Sequence, residues 1–477
     1  MALHRLEGNP SPSGDSGPGR AGPQLELTVD SLAFGGDGVA RHQGLVVLVE
    51  GGLPGDRVRA RLMRRSRNFA RARVEEILSP SASRVPVPCP HFPECGGCAY
   101  QNLDYSVQLG EKRQQVVDLL ERVGRFPDPA VAPTLASPEP FLYRSRMTYV
   151  LPLRKDSGPG LHRRSAPGGS LEVEACLLPE SLLQQAYLGI RTDLRRLQPR
   201  RRPSQIEIQA GEPGERPVAL LCGRGGPGAE ILRLATLWTG KGGPLGGVVW
   251  SGEVSGRHRG LGGQRRILAG RGHVFRHLGP FQYRIPAGSF FQANAPMAGR
   301  LFGEVVRRCG TAPGGILELY CGVGALSLFL AGTGSPVLAL EGDRAAVKAA
   351  LDNGRANRVP GIEFRAEEVG GAVRRLEASP RRFGTVVVDP PRSGLPPGTA
   401  PILGRLAREK ILYLSCNPST LARDLREIVA EGNWRLSEVI PADMFPQTTE
   451  IECLAELLPG AGSQVRRSRI SPSLTAS

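Results

Sequence analysis

The chain has 477 residues, with 61 Lys and Arg against 45 Asp and Glu, a formal net charge of +16. That length predicts several domains with a large core, and a basic excess of this size points to nucleic acid or another anionic surface as partner. No run approaches the roughly 18 apolar residues of a bilayer span, and nine cysteines, odd in number and unevenly spread, argue against a disulfide framework and for a reducing cytoplasm.

Residues 1–23, rich in Gly, Pro and Ser, read as a disordered tail with no apolar stretch of signal type. From Leu25 to Leu78 short alternating runs (Leu25-Glu26-Leu27-Thr28-Val29, Gly44-Leu45-Val46-Val47-Leu48-Val49) are separated by glycine-rich turns, which predicts a small β-barrel over 24–80. Seven arginines between Arg59 and Arg73, with Asn68 and Phe69 among them, suit phosphate contacts and one stacking platform. A Pro- and Cys-rich loop follows. Val116, Leu119, Leu120 and Val123 then mark one face of a helix from Gln108 to Val123. Residues 81–285 mix strands, such as Gln205-Ile206-Glu207-Ile208, with Gly-rich loops and a basic run from Arg195 to Arg202, an α+β pattern. From Gly315 strands and helices alternate as in a doubly wound sheet, and 461–477 reads as a second disordered tail.

Four motifs carry chemistry. In Ile316-Leu317-Glu318-Leu319-Tyr320-Cys321-Gly322-Val323-Gly324 an apolar strand enters a Gly-rich turn and a helix, the arrangement that lets backbone N–H groups approach a ligand. Ser327 stands where a dinucleotide fingerprint has its third glycine, and Glu341 ends the next strand, where an acid meets ribose hydroxyls. Together with the turn Asp389-Pro390-Pro391-Arg392 on a third strand, this favours S-adenosylmethionine over a dinucleotide.

Cys416 ends the run Leu412-Tyr413-Leu414-Ser415 and precedes Asn417-Pro418, a strand-end placement that suits a covalent nucleophile. The segment Asp443-Met444-Phe445-Pro446-Gln447-Thr448-Thr449-Glu450-Ile451-Glu452 offers carboxylates before a final strand. No histidine follows His277, so proton abstraction here falls to a carboxylate, and spacing alone leaves Glu450 and Glu452 equal. Cys89, Cys95 and Cys98, within ten residues, favour metal ligation. A triplet with one remote partner, Cys176, suits an iron–sulfur cluster better than zinc.

Taken together, residues 24–460 resemble the RNA uracil-5-methyltransferases, in the branch that acts on 23S ribosomal RNA and carries an iron–sulfur cluster. The resemblance rests on Phe34-Gly35-Gly36-Asp37-Gly38 and Phe69-Ala70-Arg71-Ala72-Arg73 of a TRAM-type barrel, on the four cysteines, on Ser289-Phe290-Phe291-Gln292-Ala293-Asn294, on Asp389-Pro390-Pro391-Arg392 and on Cys416. It implies a multidomain α/β protein: a TRAM/OB-like β-barrel over 24–80, a central α+β iron–sulfur domain over 81–285 whose helix near 102–124 packs on the catalytic domain, and a Rossmann-like class I methyltransferase over 286–460. It implies Cys416 as nucleophile, Glu452 rather than Glu450 as base, and Gln292, Tyr320, Glu341 and Asp389 around S-adenosylmethionine. Cys89, Cys95, Cys98 and Cys176 would hold a [4Fe–4S] cluster. Three positions depart from the family pattern: Ala325 replaces an Asn that binds the cofactor in many members, Gln447 takes a position filled by His or Gln, and Glu450 takes one that is commonly His.

The implied reaction is methylation of uracil C5. Attack of the Cys416 thiolate at C6 makes C5 nucleophilic, C5 takes the methyl group, Glu452 removes the C5 proton, and elimination frees Cys416. The base must leave its stack to be reached. Arg144 and Arg146 are expected either as RNA contacts or as surface charge. The rival readings are a transfer-RNA uracil methyltransferase and a non-catalytic RNA chaperone on the same fold. RNA is the expected partner, with no membrane and no obligate protein partner.

Overall fold

The structure is a computed structural model that describes residues 22–152, 157–164, 169–252 and 265–460. The tails expected over 1–23 and 461–477 lie outside the described residues, Gly22 and Pro23 excepted.

Strands β1 (Gln24–Leu32), β2 (Gly38–His42), β3 (Leu45–Glu50), β4 (Arg57–Arg65) and β5 (Phe69–Ser79) close into a barrel in the order β1-β2-β3-β5-β4. Period-two alternation sends Leu27, Val29, Val47, Val49, Val58 and Ala60 inward. The arginines between them face out, but Arg59, Arg61, Arg71 and Arg73 are paired with Glu76, Glu75, Asp37 and Glu50. The basic stripe therefore shrinks to Arg64, Arg65 and Arg67 at the β4–β5 turn, flanked by the exposed Met63 and Phe69. Asp56, fully buried, ties the barrel to the chain that leaves it. Its carboxylate accepts from Leu53 N (2.7 Å), Ser81 N (2.9 Å), and Arg84 Nε (2.8 Å) and Nη2 (2.6 Å).

Helix α1 (Tyr105–Leu119) starts at Asp104, which accepts from Ser106 N at 2.9 Å, and runs on into a π turn over Leu120–Gly124. Val116 and Leu120 are buried on the expected face, with Leu119 and Val123 only partly covered. The rest of the buried face is polar: Gln108, Lys112 and Gln115, at helical spacing from Val116 and Leu120, are hidden from solvent.

Strands β6 (Arg146–Val150), β7 (Gly160–His162), β8 (Ser170–Glu172), β9 (Gln205–Gln209), β10 (Val218–Gly223), β11 (Gly247–Gly252) and β12 (Arg265–Gly270) make a sheet ordered β12-β11-β10-β9-β6-β7-β8. Helices α2 (Ser181–Arg196) and α3 (Ala229–Thr239) bury one face of it around Tyr149, Tyr187, Ile206, Ile208 and Trp238. The opposite face carries Arg146, whose Nη2 pairs with Glu207 at 2.5 Å and whose Nη1 donates to the Ser289 carbonyl at 3.0 Å. Arg146 is thus more than plain surface charge: it pairs with a buried acid and holds the segment leading to Gln292.

The hairpin β13 (His273–Leu278) and β14 (Phe281–Pro286) leads to α4 (Ala295–Cys309). After it come β15 (Ile316–Leu319), α5 (Ala325–Ala331), β16 (Val337–Glu341), α6 (Arg344–Ala356), β17 (Ile362–Ala366), α7 (Val369–Ala378), β18 (Phe383–Val388), α8 (Ala400–Leu406), β19 (Ala407–Ser415), α9 (Pro418–Val429), β20 (Trp434–Ala442) and β21 (Glu452–Pro459). The last sheet is ordered β17-β16-β15-β18-β19-β21-β20, parallel from β17 to β19, with β21 antiparallel to both β19 and β20. Its strands are apolar on both faces because helices cover both: α4, α5 and α6 lie on one side, and α7, α8 and α9 on the other, where Val116 and Leu120 also pack. Strand order reverses between β15 and β18, so the crevice expected of such a sheet opens at the carboxyl ends of those strands. Among the described residues no helix is long and apolar enough to cross a membrane.

Asp56→Ala removes four hydrogen bonds and strands Arg84, and should destabilise the barrel by about 3 kcal/mol. Burial pushes the Asp56 carboxyl up, but the bonds from Arg84, Ser81 and Leu53 outweigh it and hold it below the usual range. The contribution of Asp56 is therefore fully present above about pH 4 and is lost as pH falls through the depressed folded value. Thermal unfolding of the full-length wild type and variant against pH checks both statements: their difference should narrow on acidification.

Candidate active site

The parallel strands end in the segments that carry the motifs. After β15, Tyr320 adopts φ +66° and donates its N–H to the Leu340 carbonyl (2.9 Å), which turns the chain into Gly322 and Gly324. Gly324 has φ +79°, and a Cβ there would meet Ala350 Cβ at 3.0 Å and Phe364 at 3.1 Å, so the loop lies tight on α6 and β17. A Cβ on Gly322, by contrast, would meet nothing within 4 Å, so that side of the loop is open. Glu341, at the end of β16, accepts from Gly322 N at 3.0 Å and from Asp343 N at 2.9 Å, joining two strand ends through one carboxylate. Beneath the loop Ser327, at the place of a dinucleotide fingerprint's third glycine, donates to the buried Glu318 at 2.5 Å. Burial pushes the Glu318 carboxyl up to about 8, against the pull of Ser327.

At the ends of β18 and β19 lie Asp389 and Cys416. The cross-strand pair Ser415↔Cys453 sets the residue after Ser415 beside the residue before Cys453, so antiparallel β21 delivers Glu452 to Cys416. The two loops are stitched together: Asn417 Nδ2 and Thr420 Oγ1 donate to the Arg392 carbonyl at 3.1 and 3.2 Å, and Asn417 also caps α9 by accepting from Ser419 N. The Arg392 guanidinium pairs with Glu450.

Three carboxyls, one thiol and one guanidinium thus share a small space, and their titration reflects it. Burial, and then the facing Glu452, push the Cys416 thiol up to about 12, with Arg392 pulling it down. Burial and then Asp389 push Glu452 well above the ordinary carboxylate range, and burial raises Asp389 as well. Two buried acids side by side resist double ionisation, so this pair retains a proton more firmly than separate carboxyls would.

The connection between β20 and β21 is held from outside its sheet. Lys112 Nζ reaches Asp443 Oδ1 at 2.6 Å, both side chains being fully buried, and the Phe445 carbonyl at 3.3 Å. Gln108 Nε2 donates to Gln447 Oε1 (3.0 Å), while Ala99 and Tyr100 donate their N–H groups to the Gln447 carbonyl (2.8 and 3.1 Å). Tyr143 Oη donates to the Pro446 carbonyl (3.1 Å), and Asn294 Nδ2 donates to the Met444 carbonyl (3.2 Å). Arg144 stands over Phe445, 5.3 Å from the ring centroid, so it too serves this loop.

Gln292 lines a cavity of about 270 Å³ together with Phe290, Phe445 and Cys89, Cys95, Cys98 and Cys176. The four cysteines are free thiols. They line this cavity, and among the described residues no group of three or more His, Cys, Asp or Glu is arranged to hold a metal ion. The expected central iron–sulfur domain is therefore not shown by the arrangement of these thiols.

Of the expected residues, Cys416, Glu452 and Asp389 come together, Tyr320 and Glu341 line the neighbouring strand ends, and Gln292 joins the cysteines. Sequence reasoning missed Lys112, Gln108 and Asn294. The signal for the first two was present: Gln108, Lys112 and Gln115 continue the helical stripe of Val116 and Leu120, and only their polarity disguised it.

A barrel followed by a seven-stranded sheet whose last pair is antiparallel, with ligand loops at the strand ends, defines a TRAM-bearing class I methyltransferase. Residues 275–458 match the family described as tRNA (Uracil-5-)-methyltransferase, and residues 20–74 match the TRAM domain. An uncharacterized RNA methyltransferase of Thermosynechococcus vestitus is 32% identical over 91% of this chain and 98% of its own length. The 23S rRNA (uracil(1939)-C(5))-methyltransferase RlmD of Aeromonas salmonicida is 29% identical over 91% of this chain and 96% of its own. The fold is also that of the Pyrococcus abyssi tRNA (uracil-54, C5)-methyltransferase solved with S-adenosyl-L-homocysteine: TM-score 0.69, 24% identity, 91% of this chain and 99% of that one. The chain belongs to the RNA uracil-5-methyltransferase family.

A thiol held near 12 reacts slowly, since only the thiolate attacks. In the substrate-free protein Cys416 should alkylate with iodoacetamide roughly tenfold or more slower than an open thiol at pH 8, the rate still rising above pH 10. Peptide-resolved mass spectrometry of the Cys416 fragment across a pH series measures this.

Proposed function

We propose that this protein methylates C5 of uracil in 23S ribosomal RNA, in the cytoplasm, through a transient bond between Cys416 Sγ and uracil C6. The observation that carries the reading is the β19–β21 register, which sets a buried carboxylate, Glu452, beside a strand-end thiol. The 23S assignment follows the RlmD relatives, which align over nearly their full length. The likeness to an archaeal transfer-RNA enzyme makes transfer RNA the second reading.

S-adenosylmethionine, when bound, supplies the methyl group from a positively charged sulfonium. The open side of Gly322 and the carboxylate of Glu341 fit such a ligand; Tyr320, Asp389 and Gln292 are the further contacts that the family resemblance assigns. Cys416 attacks C6 as the thiolate and makes C5 electron-rich. After C5 is methylated, Glu452 takes its proton, the C5–H electrons re-form the C5–C6 double bond, and Cys416 leaves with its electron pair. Glu452 must be ionised to take that proton, and burial then makes the carboxylate a strong acceptor for it. Arg392 offsets the negative charge gathered around the thiolate.

Cys89, Cys95, Cys98 and Cys176 are proposed as the ligands of a [4Fe–4S] cluster, which would supply a rigid cross-link among the segments around their cavity. The support is chemical: four free cysteines line one cavity, and thiolates are the donors such a cluster takes.

Full-length protein purified without air, given 23S and transfer RNA labelled with tritium at uracil C5 together with S-adenosylmethionine, should release tritium from the 23S transcript. Cys416→Ala should abolish release. Release from transfer RNA alone would move the substrate, and release by Cys416→Ala would overturn the covalent mechanism.

A further inference from the structure

Lys112 is remote in sequence from every catalytic motif, yet it is the fully buried partner of a fully buried acid, 2.6 Å away, at the neck of the β20–β21 connection. Asp443 directly follows Ala442, and Ala442 is the cross-strand partner of Glu452. A restraint on Asp443 therefore acts at the point where Glu452 enters the sheet. The same ammonium also donates to the Phe445 carbonyl at 3.3 Å, so it grips the loop twice.

Stability alone does not account for this pair. Burying two opposite charges costs several kcal/mol of hydration per ion, and an apolar pair of equal volume often serves as well or better. The loop has neutral ties in addition, from Gln108, Ala99, Tyr100, Tyr143 and Asn294. Those bonds hold the chain path. Arg144 over Phe445 and Arg392 beside Glu450 also bring charge to the loop, but Lys112–Asp443 is a fully buried pair at its neck, and α1, which presents Lys112, is anchored through Val116 and Leu120 in the same core as β21.

We propose that Lys112, acting through Asp443, is a positioning residue that aims Glu452 at the C5 proton; this rests on the roles given above to Cys416 and Glu452. The pair then serves the last step of the reaction, proton removal with release of Cys416. It has no part in the attack on C6 or in methyl transfer.

The test uses the full-length double variant Lys112→Met/Asp443→Leu, which removes both charges and strands neither, with Lys112→Gln, which keeps a hydrogen-bond donor for Asp443, as second variant and Glu452→Gln as reference. The probe is a 23S transcript tritiated at uracil C5. Protein–RNA complexes that survive denaturation, methyl incorporation into them, and tritium release are followed in a single turnover. Both Lys112 variants should form the methylated complex as fast as wild type but release tritium at least about tenfold more slowly, because misplacing a reacting group by an ångström can cost ~100-fold. The complex should accumulate, as with Glu452→Gln. Wild-type release by both variants would overturn the proposal. So would loss of complex formation along with release, since that marks a support of the fold rather than of the base. If wild type forms no complex, or Glu452→Gln releases tritium normally, the reading of the site itself fails, and those two arms identify that failure separately.

Discussion

One constraint organises this molecule: the last strand of the catalytic sheet runs antiparallel between β19 and β20. A parallel strand would carry its carboxyl end to the ligand crevice. An antiparallel one carries its beginning there, so Glu452 arrives beside Cys416 although 35 intervening residues have been spent on a helix, a strand and a loop. The parallel strands bring Tyr320, Glu341 and Asp389 to the same edge by the ordinary logic of an open sheet. The acid opposite the thiol comes only from the reversal.

Gathering these groups has an electrostatic consequence. Asp389, Glu450 and Glu452 crowd around a half-buried thiol, and the groups that bear on Cys416 include a single cation, Arg392, itself paired with Glu450. The resting site favours protonated forms of the thiol and of Glu452. Cys416 must lose its proton before it can attack and Glu452 its own before it can accept one, and a cationic methyl donor arriving beside them would favour both ionisations.

The loop that precedes Glu452 is built as a junction. It accepts bonds from the segment just after Cys98, from α1, from Tyr143 and from Asn294, and its Phe445 lines the cysteine cavity under Arg144. One place where the central region and the catalytic sheet meet is therefore the loop that leads into Glu452. Arg144 and Arg146, which their sequence context marks as RNA contacts or plain charge, fasten parts of the protein together: one stacks on Phe445, and the other pairs with Glu207 and holds the Ser289 carbonyl.

Local chemistry makes much of this legible in advance. Alternation in 25–78 encodes a barrel, the apolar runs of 316–319, 337–340 and 386–388 encode buried parallel strands, and Cys416 and Asp389 declare themselves by ending such runs. These signals are carried by neighbours in sequence, where periodicity of two or of 3.6 is enough. Spacing does not choose between Glu450 and Glu452, because the choice depends on which residue pairs across strands with the end of β19. Nor does it reveal Lys112, whose value as a buried cation depends on an acid 331 residues away. Gln292 and the four cysteines share a cavity for the same reason: separate segments fold onto one wall. The sequence by itself determined the elements and most of the reactive side chains. Which of those side chains face one another, and with what charge, was decided by strand direction, register and burial, because electrostatics and hydrogen bonds act through distances in space that sequence separation does not measure.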